Sequence, residues 1–180
     1  MPIRFFFAVI PDLETRQRIA AAAQALDLEP PSRPVPPENY HMTLAFVGEA
    51  PESRAAALRR IGGSQRVRGF DVRFDAYEYW QKSGVVVAAA REFPAELEHW
   101  WQQLHADLAQ HHLSLNPNPT SLRPHVTIAR KVMQAPVLQA MSAVVWKMQS
   151  FSLLHSNTGA PQPIYTVLDT WQLLDETATL

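Results

Sequence analysis

The sequence predicts a mixed α+β fold with two lobes. Short apolar segments of β-prone residues alternate with three longer stretches of helical periodicity, an order typical of this fold class. Two of the β-prone segments, 41–46 and 125–130, are near copies that lie 84 positions apart, so each lobe should carry one. A chain of 180 residues has the size of one domain, and residues 1–180 are therefore expected to form a single bilobal unit.

The N-terminal part predicts a strand, a helix and a proline-rich connection. Residues 3–10 form a continuous apolar run that ends at Pro11, as in a buried strand. Asp12 then suits the N-cap of a helix. The core-facing side of this helix is predicted to hold four apolar residues: Leu13, Ile19, Ala23 and Leu26. Residues 30–37 are rich in proline, which lacks an amide hydrogen, so they predict an extended loop that serves as a rigid connector.

The central part predicts two sheet regions separated by a short helix. The first repeated segment is predicted to be a strand over 40–48, and a short helix over 51–63 opens at a proline and ends at two glycines. Residues 70–79 alternate apolar and polar side chains, which predicts one strand with a solvated face. A turn at 83–84 leads into 85–90, so these two strands should pair in an antiparallel hairpin.

The longest helix is predicted after Pro94, with a core-facing stripe at three- and four-residue intervals. The stripe consists of Leu97, Trp100 or Trp101, Leu104 and Leu108. Four histidines lie on or just after this helix: His99, His105, His111 and His112. No carboxylate or third ligand stands at metal-binding spacing from them, so they are expected to be solvated or to interact with the helix C-terminus.

The C-terminal part predicts a loop and three further strands. Two Asn-Pro pairs mark the loop at 116–119. The second repeated segment predicts a strand over 124–131, and two more strands are expected near 147–156 and 163–173.

The two repeated segments carry the residues that indicate a chemical function. Each places a histidine and a threonine two residues apart, His41 with Thr43 and His125 with Thr127, and a strand sends such residues to the same face. One copy alone would indicate only a hydrogen-bonded residue on a half-buried strand. Seven histidines and nine threonines predict about 0.35 such triplets by chance, so two copies exceed the expectation. Facing each other across a cleft, they would supply a proton donor, a proton acceptor and two hydroxyls around one small anion.

Composition excludes several classes of site. The chain has no cysteine, which removes disulfides, thiolate nucleophiles and cysteine zinc ligands. Its formal net charge of −1 lacks the basic excess of proteins that track a long nucleic-acid backbone, so any RNA contact should be local. The N-terminal apolar run is too short to span a membrane and no cleavage site follows it, so a cytoplasmic location without membrane association is expected.

These residues resemble the two-histidine (2H) phosphoesterase superfamily, and within it the bacterial and archaeal RNA 2′,3′-cyclic phosphodiesterases, historically called 2′-5′ RNA ligases. The resemblance rests on the two His-x-Thr strands, on 46–48 after the first, on Arg130 at the end of the second, and on strands at 4–8 and 165–168. Val47 and Ile128 depart from the family pattern, where leucine is commoner, on the face expected to point away from the cleft. The resemblance implies antiparallel sheets in a bilobal, pseudo-two-fold arrangement that line a central cleft, with helices packed outside.

The resemblance also implies a role for each site residue. His41 is expected to donate a proton to the departing 3′ oxygen and His125 to act as the base that activates water, although the sequence alone leaves the two roles open. Thr43, Thr127 and Arg130 are expected to bind the phosphate. For Arg130, a solvent-facing position at a strand end is the alternative. The scheme requires no metal and no cofactor.

The expected substrate is an RNA 3′ end or a nucleoside that carries a 2′,3′-cyclic phosphate, hydrolysed to a 2′-phosphate by a monomer. The alternatives are a 2′-5′ RNA ligase, a cyclic phosphodiesterase for small nucleotides, and a non-catalytic module that binds RNA ends. The last is disfavoured because both histidines are present and the net charge is not basic. Four aromatic residues are candidates to stack the terminal base, although core packing explains any single one better: Phe7, Tyr40, Tyr77 and Trp80.

Overall fold

A computed structural model describes residues 3–113, 120–157 and 164–175 and confirms the α+β fold class. The α-helices in this part of the chain are α1 (Leu13–Gln24), α2 (Ala55–Ser64) and α3 (Ala95–Gln110). The strands are β1 (Ile3–Val9), β2 (Arg33–Pro34), β3 (Met42–Ala50), β4 (Phe70–Phe74), β5 (Ala76–Trp80), β6 (Val85–Ala89), β7 (His125–Arg130), β8 (Val144–Met148), β9 (Ser150–Asn157) and β10 (Ile164–Gln172). One-turn 3-10 helices cover Pro37–Asn39 and Glu52–Arg54. The loop expected at 116–119 lies outside the described residues.

Within the described ranges, the strands form two four-stranded antiparallel sheets and one separate antiparallel pair. The first sheet has the order β10-β9-β1-β3, the second has the order β2-β7-β6-β5, and β4 pairs with β8. Each motif strand, β3 or β7, therefore lies beside a buried strand, β1 or β6, which pairs on its other side with β9 or β5. This repetition agrees with the pseudo-two-fold arrangement that the resemblance implies.

Each sheet packs one face into the main hydrophobic core and carries its motif on the other. On β1, Phe5 and Phe7 lie in the main core, whereas Phe6 belongs to a separate small cluster on the opposite face. On β6, Val86 lies in the main core, whereas Val87 belongs to a second small cluster. Successive residues of a strand point to opposite faces, so this division follows from the strand geometry.

The helices pack as the apolar pattern predicts, with one exception. The buried residues of α3 are those of the predicted stripe: Leu97, Trp100, Trp101, Leu104 and Leu108. The N-cap prediction for α1 is confirmed, because the Asp12 carboxylate accepts the N–H of Thr15 at 2.8 Å. Leu13, expected in the core, is 67% exposed. It precedes the buried Thr15 by two residues, about 200° around the helix, and so points away from the sheet.

Two predicted strands are each divided between two sheets. The segment 70–79 forms β4, which pairs with β8, and β5, which pairs with β6. The break falls at Asp75, whose carboxylate forms ion pairs with Arg73 and Arg91. The strand expected at 147–156 is likewise divided, because β8 ends at Met148 and β9 begins at Ser150. The predicted hairpin is confirmed for β5 and β6, and Gly84 in its turn has a positive φ of 59°.

Two predictions were wrong in detail: the end of α2 at its two glycines, and the loop conformation of the whole proline-rich connector. Gly62 does not end α2, which continues to Ser64; instead, a Cβ at position 62 would overlap the indole ring of Trp171. The proline-rich connector also forms part of a sheet, since β2 pairs with the end of β7. An edge strand tolerates Pro34, because one side of its backbone needs no amide donor. Within the described residues, no helix is long and apolar enough to cross a membrane.

Candidate active site

The two motif strands approach each other from the two sheets. The Cα atoms of β3 and β7 come within 8 Å of one another at several positions. His41 and His125 are both half-buried, and the charge on His125 affects the ionisation of His41. The fold therefore brings the two predicted histidines close enough to interact electrostatically, although 84 positions separate them in the sequence.

Both imidazole rings are held by the same backbone hydrogen bond. His41 Nδ1 lies 2.8 Å from the carbonyl oxygen of Asn39, and His125 Nδ1 lies 2.6 Å from that of Arg123. A carbonyl can only accept, so each Nδ1 carries the proton and donates it. In the neutral rings, each Nε2 is therefore left with a lone pair for proton transfer. The two acceptor carbonyls precede their histidines by two residues, and Pro124 favours the extended backbone that this requires at Arg123.

A β-bulge follows the threonine in each motif. In β3, Thr43 pairs with Ala8 and Ala45 with Phe7, which leaves Leu44 without an opposite residue. In β7, Thr127 pairs with Val87 and Ala129 with Val86, which leaves Ile128 unpaired in the same way. A bulge shifts the later residues of a strand to the other face.

The bulges decide which side chains share a face with the histidines. Leu44 and Ala45 are both buried, and so are Ile128 and Ala129. The next residues, Phe46 in β3 and Arg130 in β7, are both exposed. Phe46 pairs with Phe6, which belongs to the same cluster face as the first motif. Strict alternation would place an alanine there in each motif, so the bulges bring a phenylalanine and an arginine to the functional faces.

In each motif, the carbonyl oxygen of the bulge residue accepts a hydrogen bond from a residue outside the two strands that form the bulge. The Leu44 carbonyl oxygen accepts a hydrogen bond from Nε2 of His105 on α3 at 3.0 Å. The Ile128 carbonyl oxygen accepts one from the N–H of Val35, just after β2, at 2.9 Å. His105 also stacks on Trp101 with ring centroids 4.1 Å apart. His105 was expected to be solvated, and this prediction was wrong, because its ring is half-buried and satisfies an edge carbonyl of β3.

Aromatic rings pack around His41. Phe6 lies 5.2 Å from it between ring centroids, and Tyr165 of β10 lies 4.9 Å away in an edge-on orientation. Phe6 and Tyr165 also contact each other, at 5.3 Å. The sequence contains no local signal that places Tyr165 beside His41, since the contact depends on the order of strands in the first sheet.

A different group of side chains supports His125. Trp80 of β5 packs against its ring at a centroid distance of 4.4 Å. The guanidinium of Arg123 lies over the Trp80 ring, 4.6 Å from the centroid. One carboxylate oxygen of Glu78 accepts hydrogen bonds from Trp80 Nε1 at 2.8 Å and from Arg123 at 2.5 Å. Together, the Trp80 ring, the Arg123 guanidinium and the Glu78 carboxylate limit the movement of His125.

Burial and neighbouring cations favour the neutral form of both histidines. Burial, together with the charges of Arg130 and His125, lowers the pKa of His41 to about 4, although the hydrogen bond to Asn39 opposes this. The pKa of His125 is also lowered, mainly by burial and further by the charges of Arg123 and Arg130, with Glu78 opposing. Both effects follow from the cost of placing a positive charge in a desolvated, already cationic site. An anion in the same site would raise both pKa values.

The expected phosphate ligands carry free donors on these faces. Thr43 and Thr127 are half-buried, and neither hydroxyl has a hydrogen-bond partner within the described residues. Arg130 is exposed, forms no ion pair in this part of the chain, and lies near enough to His41 to lower its pKa. The two hydroxyls and the guanidinium can donate to the oxygens of a phosphate diester, and the two imidazoles can exchange protons through Nε2.

Two of the four candidate stacking residues are excluded by burial. Phe7 and Tyr40 are at most 3% exposed and belong to the main core. The Tyr77 hydroxyl donates to the carbonyl of Ala22 at 2.7 Å, so this side chain links β5 to α1. Only Trp80 among the four lies beside a motif histidine. No group of three or more metal-ligating side chains occurs among the residues that the structure describes.

Comparison with known proteins identifies the family. The family model described as the 2′-5′ RNA ligase superfamily matches residues 11–175. The chain belongs to this superfamily. Among curated members, it is 29% identical over 174 residues to the RNA 2′,3′-cyclic phosphodiesterase of Escherichia coli, covering 96% of this chain and 97% of that one. It is 26% identical over 182 residues to the protein of the same name from Thermus thermophilus, covering 97% and 92%.

Solved structures of the 2′-5′ RNA ligase superfamily share the fold. The chain is similar to E. coli LigT complexed with 3′-AMP, with a TM-score of 0.86, 28% identity, and coverage of 96% and 99%. The complex of the same protein with phosphate has a TM-score of 0.83, 28% identity, and coverage of 96% and 98%. These similarities cover nearly the whole chain, so this superfamily member has the same fold as these relatives.

Proposed function

We propose that this protein is an RNA 2′,3′-cyclic phosphodiesterase that uses His41 and His125 as a general acid and a general base. The observation that carries the proposal is the paired arrangement of the imidazoles. Each ring donates from Nδ1 to a backbone carbonyl and keeps Nε2 available. His41 directly precedes β3 and His125 is the first residue of β7, and Cα atoms of these two strands approach within 8 Å. Acid/base catalysis needs two such groups held in fixed positions on either side of one reacting centre.

The reaction opens the strained ring of a cyclic phosphate. His125 takes a proton from water, whose oxygen attacks phosphorus, and the bond between phosphorus and the 3′ oxygen breaks. His41 gives its proton to that departing oxygen, so the product is a 2′-phosphomonoester with a free 3′ hydroxyl. His41 ends neutral and His125 ends protonated, and exchange with solvent restores both.

The low pKa of His41 fits this role through the charge of the substrate. In the free protein, a pKa of about 4 leaves the ring neutral at neutral pH. The bound cyclic phosphate carries one negative charge, which stabilises the imidazolium and raises the pKa of the acid. Thr43, Thr127 and Arg130 would bind the nonbridging oxygens, and the arginine would stabilise the charge that accumulates on phosphorus in the transition state.

The relatives support this substrate class. The two curated members to which the chain is similar over nearly its full length are named RNA 2′,3′-cyclic phosphodiesterase. The similar E. coli structures were obtained with 3′-AMP and with phosphate, which are a ribonucleotide with a terminal phosphate and the anion itself.

A 2′-5′ ligase reaction would use the same site, and the family name favours it as a second activity. A 5′ hydroxyl of another RNA would replace water as the attacking group. The bond to the 3′ oxygen would again break, and His41 would again protonate that oxygen. The two reactions therefore differ only in the nucleophile.

The test is hydrolysis of nucleoside 2′,3′-cyclic phosphates, with the 2′ and 3′ products separated by chromatography. We expect the 2′-phosphate, and we expect His41→Asn and His125→Asn each to lower kcat by about a hundredfold or more. Thr43→Val and Thr127→Val should each cost about tenfold, the effect of one lost hydrogen bond to a charged oxygen. His99→Asn, at an exposed position on α3, is the control. Activity retained in either motif histidine variant would contradict the proposed mechanism.

A further inference from the structure

A polar cavity lies beyond the first motif, toward the end of β3 that is distant from His41. Its volume is about 500 Å³. The wall includes the end of β3 from Phe46 to Ala50 and three basic side chains from other elements: Arg4, Arg54 and His112. The mechanism proposed above uses none of these residues.

The charge of the wall favours an anion. Arg4 is neutralised by an ion pair with Glu49 at 3.0 Å. Arg54 is exposed and has no hydrogen bond or ion pair within the described residues. It immediately precedes α2, so the partial positive charge of that helix N-terminus adds to its own. The cavity therefore offers one uncommitted guanidinium, in a chain whose net charge is −1.

Phe46 connects this cavity to the proposed active site. The bulge at Leu44 turns Phe46 to the face that carries His41 and Thr43, where it lies 6.5 Å from Phe6 between ring centroids. Phe46 is 38% exposed and also lines the cavity. The Phe6 ring contacts both side chains, with its centroid 5.2 Å from that of His41 and 6.5 Å from that of Phe46. The cavity extends from Phe46 along β3 to Ala50, so a ligand that fills it and also reaches His41 must be longer than a cyclic phosphate alone.

We propose that this cavity binds the RNA chain that leads to the cyclic-phosphate end, with Arg54 on a backbone phosphate and Phe46 stacked on a base. The inference rests on the proposed function, because it needs an RNA end between the histidines. An exposed ring followed by a free cation is the combination by which proteins hold single strands without reading sequence. The acid His41 then directly precedes β3, and the other end of β3 forms a subsite for upstream nucleotides.

The experiment compares a short RNA ending in a 2′,3′-cyclic phosphate with a nucleoside 2′,3′-cyclic phosphate. The variants are Arg54→Gln, Phe46→Leu and the control Arg60→Gln, which removes an exposed arginine of α2 that does not line the cavity. We expect Arg54→Gln and Phe46→Leu to raise KM for the RNA about five- to tenfold. The kcat and the kcat/KM of Arg54→Gln for the nucleoside should stay within twofold of the wild type, and Arg60→Gln should match the wild type on both substrates.

A binding measurement separates this inference from the proposed function. The same RNA with a 3′-terminal phosphate is titrated by fluorescence anisotropy at several salt concentrations. Arg54→Gln should weaken binding and lower the slope of log K against log salt by about 0.7, the contribution of one phosphate on a single strand. If the protein does not hydrolyse the cyclic phosphate but Arg54→Gln still binds the RNA more weakly than the wild type, the proposed function is rejected and the subsite is supported. Equal RNA binding by Arg54→Gln and Arg60→Gln, or equal losses on RNA and nucleoside, would overturn the subsite.

Discussion

His41 and His125 receive the same backbone support but different side-chain surroundings. Both Nδ1 atoms donate to the carbonyl two residues earlier. Phe6 and Tyr165 pack around His41, whereas Trp80, backed by Arg123 and Glu78, packs against His125. The shared bond orients both rings, and the different neighbours give each ring its own electrostatic environment, as a separate acid and base require.

The lowered pKa of His41 predicts a loss of stability in acid. The unfolded chain binds a proton at this residue near pH 6.5, whereas the folded protein does so only near pH 4. Between these values the unfolded state holds more protons, so the free energy of unfolding falls as the pH falls. Between pH 7.5 and pH 5, His41 should contribute up to about 2 kcal/mol of this loss.

Urea unfolding of the wild type and of His41→Asn at the two pH values measures this contribution. The decrease on acidification should be smaller in the variant, and His99→Asn serves as an exposed control. An identical decrease in the wild type and in His41→Asn would show that the folded protein does not suppress the protonation of this ring.

At the scale of elements, the two bulges are the features that shape the site. They follow Thr43 and Thr127 at matching positions, and they turn Phe46 and Arg130 toward the motif faces. Alternation in the sequence predicts Ala45 and Ala129 at those places, because a bulge leaves no mark in the apolar pattern. The functional position of Arg130 could therefore be expected only from the family resemblance, and its role stays a prediction.

The bond from His105 to the bulge carbonyl of Leu44 predicts a specific stability difference. His105→Leu should destabilise the protein by about 1–3 kcal/mol, because a half-buried carbonyl at the edge of the sheet loses its donor. His105→Gln keeps a side-chain donor and should recover part of the loss. Both variants lose the ring that stacks on Trp101, so their difference isolates the hydrogen bond.

Denaturant unfolding of the two His105 variants measures that difference. The loss of stability should come from the outer edge of β3, because the His105 side chain donates there to the bulge carbonyl of Leu44. Equal destabilisation by leucine and by glutamine would show that the bond to Leu44 contributes nothing to stability.

At the scale of the whole molecule, local patterns could be predicted and the arrangement between distant segments could not. The strand β1, the Asp12 cap and the stripe of α3 depend on a few neighbouring residues, and all are confirmed. The division of 70–79 between two sheets depends on β8, far along the chain, which no local periodicity reveals.

The candidate site shows the same limit. The repeated His-x-Thr pattern was sufficient to predict that His41 and His125 act together, because the repeat is visible in the sequence. The neighbours Tyr165, Trp80 and His105 come from other strands and from α3, and the order of strands in the two sheets brings them there.

The central claim is that two histidines share acid/base work on one phosphate, and the pH dependence of kcat tests it most directly. Hydrolysis of a nucleoside 2′,3′-cyclic phosphate is measured across neutral pH with excess EDTA. The wild type should give a bell-shaped profile, whose two apparent pKa values belong to the coupled pair. The residual activity of His125→Asn should lose the rising acidic limb, and that of His41→Asn should lose the falling alkaline limb. Abolition of activity by the chelator and recovery with a divalent cation, or a profile unchanged in both variants, would contradict the account.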